Sequence, residues 1–306
     1  MRQTHVLALT AAFLWSTAYV GVKIGLEYAD PFFFAGVRFM AAGLLIIPFA
    51  GRLSGYITFA RENWKTVLRV SLLQTGIFYA LYFQGIDRVP AAVAAVVMGS
   101  EPLFTALTAH VFMKHDAFTL RKAVSIAGAV AGVVLLSIQR DFGDAAGLQE
   151  LLGIGLLLSA CIIGSLGQVV VKRGGLNPLY LNSQQIFLGG FMILMLSFLS
   201  GEALPEALPL PFIAALLWLS FVSAAAFSIW YTLLKRREVK ISEVNLFKFV
   251  VPVSGAVLSW LIMPDDMPDA VTVTGMILIA GSIILFYARR GQVAPGEEKE
   301  AGELPD

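Results

Sequence analysis

Runs of about 20 mostly apolar residues follow one another along this chain with only short breaks between them, and they leave it few ways to fold. Each run is long enough to cross the hydrocarbon of a bilayer. No water is present there to satisfy backbone N–H and C=O groups, so each run must close its own hydrogen bonds as a helix. The pattern predicts an all-α integral membrane protein with ten transmembrane helices, at about 5–26, 31–50, 66–86, 90–113, 120–139, 149–171, 178–200, 211–234, 242–263 and 270–288. Composition agrees, since 58% of the residues are apolar and 14% charged, far from the balance of a soluble domain. The first run is too long for the apolar core of a signal peptide, and no A-x-A site follows it, so it reads as the first span.

The same residues remove several functional classes. A formal net charge of +1 provides no global field for nucleic acid. The single cysteine, Cys161, excludes an internal disulfide and a CxxC redox or metal motif. His5, His110 and His115 are too few and too badly spaced for zinc, so no metal site and no cofactor are expected. No ATP-binding loop is present, and no His/Asp/Glu constellation has catalytic spacing. The partners expected are a small-molecule substrate and the lipid bilayer.

Loop charges set an expected orientation. Arg2, Arg52, Arg61, Lys65, Arg69, Lys114, Arg121, Lys122, Lys172, Arg173, Lys235, Arg236, Arg237, Lys240, Arg289, Arg290 and Lys299 fall on one side, against Lys23, Arg88 and Arg140 on the other. Cytoplasmic loops carry the excess of Lys and Arg, so both termini are expected in the cytoplasm and the chain in the inner, or plasma, membrane. The cluster at Lys235 to Arg237 reads as part of that signal.

An internal echo runs through the chain. Gly76 to Leu107 holds an aromatic stretch (Phe78, Tyr79, Tyr82, Phe83), a charged bend, and then an apolar stretch interrupted by Glu101-Pro102. Ala226 to Val257 repeats the plan, with Phe227, Trp230 and Tyr231, a charged bend, and Pro252 in the next apolar stretch. Five spans per half is an odd number, so the second half crosses the membrane in the opposite sense, as in an inverted-topology repeat. The expected units are a first five-helix repeat at 1–140 and a second at 147–290, joined near Gln139 to Glu150. An acidic tail at 291–306 is too polar to bury and is expected to be disordered.

Leu14-Trp15-Ser16-Thr17 through Lys23, Arg38-Phe39, the proline-centred fourth and ninth spans, and the glycine-bearing stretches Gly128 to Gly132 and Gly275 to Gly281 together resemble the EamA branch of the drug/metabolite transporter superfamily. The likeness runs from about residue 5 to 288. One departure is Lys114-His115-Asp116, where such proteins often carry Gly-Glu in an acidic turn. The resemblance implies a secondary transporter of ten helices, exporting amino acids, including aromatic or otherwise amphipathic ones, by alternating access around a midplane cavity. Within transport, the other readings are a nucleotide sugar or a drug-like cation, and outside it a membrane protein with no transport role.

The candidate site residues follow from depth and polarity. Glu101 lies about 16 Å along its helix, near the bilayer midplane, and Arg38 about 10 Å in from the same face. Intramembrane charge is costly and usually functional, so Glu101 reads as a proton- or substrate-responsive carboxylate held by Arg38, or else as half of a fixed pair welding helices 2 and 4. Lys248 reaches in from the cytoplasmic side and reads as snorkelling to the headgroups, with pairing to Glu101 as its other role. Trp15 is too deep for the interfacial belt and Tyr79 is deep too, whereas Tyr82 should lie nearer the surface. These three are candidates for cavity lining or for packing. Gln168, Asn182 and Gln185 serve either substrate contact or helix–helix adhesion. Trp230 and Tyr231 fall near the end of span 8, where the aromatic belt is the expected place. Pro102 and Pro252 are the expected hinges. Gly128, Gly132, Gly189 and Gly190 read as close-packing positions.

Overall fold

The computed structural model describes residues 2–113, 145–236 and 241–262, with separate positions at 124, 239, 270, 273–275, 277–278 and 281. Every regular element among the described residues is helical. In chain order they are α1 (Arg2–Ser16), α2 (Ala18–Leu26), α3 (Pro31–Ala50), α4 (Leu53–Val70), α5 (Ile77–Ile86), α6 (Ala91–Met98), α7 (Glu101–Phe112), α8 (Ala145–Gly174), α9 (Pro178–Leu199), α10 (Leu210–Lys235), α11 (Ile241–Asn245) and α12 (Val250–Ile262). Six continuous helical stretches are long and apolar enough to cross a membrane: Gln3–Leu26, Pro31–Ala50, Leu53–Ile86, Gly147–Gly174, Pro178–Leu199 and Leu210–Lys235. The expected spans 120–139 and 270–288, with Gly128 and Gly132, lie outside the described residues or reach them only at single positions. So do the tail at 291–306 and most of the joint between halves.

Four of the expected spans depart from a straight helix, each for a local reason. In the first, α1 and α2 meet at Thr17, where the Thr17 hydroxyl donates to Leu14 O at 2.7 Å and Ser16 Oγ donates to Ala12 O and Phe13 O. Hydroxyls that bond back along a helix compete with its backbone ladder and bend it. The third span begins at Leu53, not at about 66 as the hydropathy suggested. Arg61, Glu62 and Lys65 dilute its apolar signal, yet the helix runs on to Ile86 through a π-helical turn at Ser71–Gly76. A helix of this length, near 50 Å at 1.5 Å per residue, exceeds the hydrocarbon core of a bilayer.

The fourth span is two half-helices. α6 ends at Met98, Gly99 and Ser100 form a turn, and α7 begins at Glu101. The Ser100 hydroxyl donates to Val97 O at 2.7 Å. Pro102 is therefore in the first turn of α7, where its missing N–H costs nothing, and not in the interior of one long helix. The ninth span is α11, a 3₁₀ turn at Leu246–Phe249, and α12, with Pro252 in the first turn of α12. Both prolines thus start a helix just after a break.

The halves interlock most closely through α3 and α9. Gly36, Gly43 and Gly190 make this approach possible. A Cβ on Gly36 would stand 2.7–2.8 Å from Leu194 Cβ, Cα and N, and one on Gly190 would stand 2.8 Å from Met40 N. At one end of the pair, Glu202 accepts from Phe32 N and Phe33 N at 3.1 and 2.8 Å, and Asp30 accepts from Ala203 N at 2.9 Å. The Glu202 carboxylate satisfies free N–H groups of the first turn of α3 and opposes that helix's dipole.

A device recurs half a chain apart. Lys23, at the end of the first span, donates to Ile86 O and Val89 O between α5 and α6. Lys172, at the end of α8, donates to Leu234 O, Arg236 O and Val239 O between α10 and α11. Each lysine ties the end of one helix to carbonyls left without helical partners beside the next broken helix.

Candidate functional site

The helix breaks converge on a cavity of about 100 Å³. Trp15 and Tyr19 enter it from the bend in the first span, and Arg38 from α3. Gln74 comes from the π turn, with Phe78, Tyr79 and Tyr82 from α5. Phe227 and Trp230 from α10 form the opposite wall. Glu101 and Lys248 stand at the two breaks. The π turn and the Thr17 bend matter because they rotate these side chains inward from otherwise regular helices.

Glu101 pairs with Lys248, and this corrects the expected pairing with Arg38. Lys248 Nζ lies 2.7 Å from Glu101 Oε1 and 2.8 Å from Oε2, and the two side chains are 11% and 13% exposed. Lys248 does not snorkel away from the core. Its ammonium also lies 5.2 Å from the centre of Trp15 and 4.9 Å from that of Trp230, within cation–π range. Gln168 completes the cluster. Its Nε2 donates to Glu101 Oε1 at 2.6 Å, while its Oε1 accepts from Asn245 Nδ2 at 3.0 Å and Trp230 Nε1 at 3.4 Å. One amide thereby ties α7, α8, α10 and α11 together. The carboxylate also starts α7, where the helix N-terminus favours negative charge.

Arg38 presents the opposite case. Its side chain is buried, and it touches no carboxylate among the described residues. Its guanidinium carbon lies 4.1, 5.3 and 5.5 Å from the ring centres of Phe39, Phe83 and Tyr79. Its Nε has no hydrogen-bond partner among the described residues. Contacts with rings offset about 0.5–2 kcal/mol each. Burying the ion costs several kcal/mol, so the rings leave the guanidinium short of compensation. Trp15 Nε1 is a second buried donor on this cavity without a partner among the described residues. It packs edge-on to Phe227 and Trp230 at 5.3 and 5.1 Å.

Of the residues singled out in the sequence, Trp15, Arg38, Tyr79, Tyr82 and Glu101 line the cavity, and Gln168 sits directly behind Glu101. Tyr82, expected nearer the surface, is 7% exposed. Asn182 and Gln185 lie elsewhere. Gln185 accepts from Thr75 at 2.8 Å and donates to Asn182, which donates to Ser228 at 3.0 Å, so both amides join α9 to its neighbours. Trp230 and Tyr231 are each 1% exposed, which corrects their expected place in the aromatic belt. The bend in the first span and the turn at Leu246–Phe249 carry Trp15 and Lys248 against this end of α10 and enclose it in protein. Gln74, Phe78, Tyr19 and Phe227 were not anticipated. Gln74, Phe78 and Tyr82 recur every four residues, the spacing of one helix face, and that spacing was the available signal.

Residues 3–138 and 151–288 each match the EamA-like transporter family. An uncharacterized transporter, YvbV, of Bacillus subtilis is 26% identical and covers 94% of this chain and 92% of its own length. A probable amino-acid metabolite efflux pump of Escherichia coli is 25% identical, over 96% of this chain and 98% of its own length. An S-adenosylmethionine/S-adenosylhomocysteine transporter of Chlamydia trachomatis is 23% identical, over 94% and 90%.

Proposed function

The chain belongs to the EamA-like transporter family and is a multi-pass membrane transporter, and on that premise we propose that it exports amino acids or their close amphipathic derivatives by alternating access. The observation that carries the reading is the Glu101–Lys248 pair, which joins the break of the fourth span to that of the ninth across the cavity. On this reading the chain forms ten spans in two inverted repeats, at 1–140 and 147–290, and those breaks fall on opposite sides of a pseudo-twofold axis. Opening the cavity to one side then requires the two half-helix pairs to move against each other, with Pro102 and Pro252 at the hinges. The pair parts as the half-helices separate and re-forms as they close, and substrate binding shifts the balance between the two states. Trp15, Arg38, Tyr79, Tyr82 and Glu101 contact the substrate directly. Gln168 holds Glu101 in place. Asn182 and Gln185 act through helix adhesion. The likeness to an S-adenosylmethionine transporter supplies the rival reading, a larger cationic substrate.

Proteoliposomes test this directly. Loaded with unlabelled aromatic amino acids, they are expected to exchange labelled ones saturably, with no exchange of nucleotide sugars. Flux of S-adenosylmethionine or nucleotide sugars alone would replace the proposal by its rivals. Pro102→Ala is expected to fold normally but to exchange more slowly, and wild-type rates in that variant would remove the hinge role. The orientation proposed, with both termini cytoplasmic in the inner membrane, rests on the loop charges. A reporter after Arg290 is expected inside and one near Asp144 outside, and finding both on the same side would refute it.

A further inference from the structure

We propose that the cavity selects substrates that are net monoanions, with the carboxylate seated on Arg38 and an aromatic or apolar body between the rings. The inference rests on the transport reading but names which charge state the site takes. Charges lining the cavity are two cations, Arg38 and Lys248, and one anion, Glu101, a balance of +1 among the described residues. Lys248 and Glu101 neutralise each other at 2.7 Å, which leaves the Arg38 guanidinium as the unmatched charge. The orphaned polar atoms of the lining point the same way. Arg38 Nε and Trp15 Nε1 are both donors, so what they lack is an acceptor. A carboxylate is the planar acceptor that matches a guanidinium fork.

Much of the remaining lining is aromatic (Trp15, Phe78, Tyr79, Tyr82, Phe227 and Trp230), and its side-chain amide, Gln74, is engaged through Nε2 with Gly164 O. A free ammonium on the substrate finds no equivalent site, because Glu101 already accepts from Lys248 and Gln168. A zwitterion must displace one of them, whereas a monoanion, such as an amino acid acylated on nitrogen or its 2-oxo counterpart, displaces neither. Arg38 then sets charge selectivity and the rings set size.

Three probes of similar shape separate the charge states: phenylacetate, phenylalanine and phenethylamine. Each is titrated calorimetrically into the purified full-length protein, wild type, Arg38→Gln and Arg38→Lys, and each is tested as a competitor in proteoliposome exchange. Phenylacetate is expected to bind the wild type at least about tenfold more tightly than phenylalanine, with no measurable binding of phenethylamine. Arg38→Gln is expected to erase that preference by about tenfold or more, and Arg38→Lys to keep part of it, since an ammonium supplies the charge without the fork. Melting curves report whether each variant is folded. If Arg38→Gln fails to fold, the order of the three probes on the wild type and on Arg38→Lys decides alone. Equal or tighter binding of phenylalanine or phenethylamine overturns the proposal, as does unchanged phenylacetate affinity in folded Arg38→Gln. Absence of binding by all three overturns it too. Arg38-dependent binding without flux of any solute would instead sink the transport reading and leave the anion site standing.

Discussion

Glu101→Ala is expected to cost about 3–5 kcal/mol of folding free energy, the range for removing one partner of a buried ion pair. The loss comes from the partner left behind. Lys248 is held among Trp15, Trp230 and Glu101. Without the carboxylate, its ammonium keeps only the two rings, which offset about 1–2 kcal/mol each at most. Gln168 Nε2 loses its 2.6 Å acceptor at the same time. Lys248→Met is expected to be damaging as well, since Glu101 would keep Gln168 as its nearest donor. The double variant Glu101→Gln with Lys248→Met should recover most of the loss, because neutral groups of similar shape need no counter-charge. Folded yield and melting temperature in detergent, measured on Glu101→Gln, Lys248→Met and the two together, give the comparison. Additive losses in the double variant would show that the two residues are not coupled. A second double variant, Glu101→Gln with Arg38→Gln, is expected to give no rescue, since those side chains belong to separate interactions. Recovery there would reinstate the pairing inferred from depth alone.

Gly36→Leu is expected to prevent α3 and α9 from docking. Overpacking costs about 1–3 kcal/mol where side chains can shift, and more where they cannot. Here a Cβ alone would meet Leu194 Cα and N at 2.8 Å, and backbone cannot rotate away as a side chain does. Gly43→Leu meets the same obstacle, with Ser183 O at 2.9 Å. These contacts lie in the interface that holds the halves together, and α3 also carries Arg38. Loss of folded protein should therefore accompany loss of ligand binding. Gly155→Ala is the control, because nothing lies within 4 Å of its added carbon. It is expected to be neutral, or stabilising by up to about 1 kcal/mol, from helix propensity. The readout is the monodisperse fraction after solubilisation, with melting temperature for whatever survives. Wild-type behaviour of Gly36→Leu would mean that α3 and α9 do not approach this closely in the membrane.

Hydropathy, glycine and proline are local properties, and the sequence by itself determined what depends on them. Pro31–Ala50, Pro178–Leu199 and Leu210–Lys235 follow from their apolar runs to within a few residues. The interruptions near Pro102 and Pro252 follow from chemistry within one or two turns, and so does the echo between the halves. The third span was misjudged at its start because Arg61, Glu62 and Lys65 lower the apolar signal without disturbing helix formation. Position along a helix was legible too, since it is a residue's count times a fixed rise. Glu101, Arg38 and Trp15 were found that way.

Only the tertiary structure decided which helices adjoin and which faces they turn to one another. Arg38 and Glu101 line one cavity, yet Glu101 faces Lys248, 147 residues away along the chain. Trp230 lies at the end of its helix and would meet lipid headgroups if that helix stood alone. The bend at Thr17 and the turn at Leu246–Phe249 carry Trp15 and Lys248 against it instead. Axial position is encoded residue by residue. Azimuth and neighbours come from packing between distant segments, through close approaches such as Gly36 against Leu194, and no window along the chain contains them.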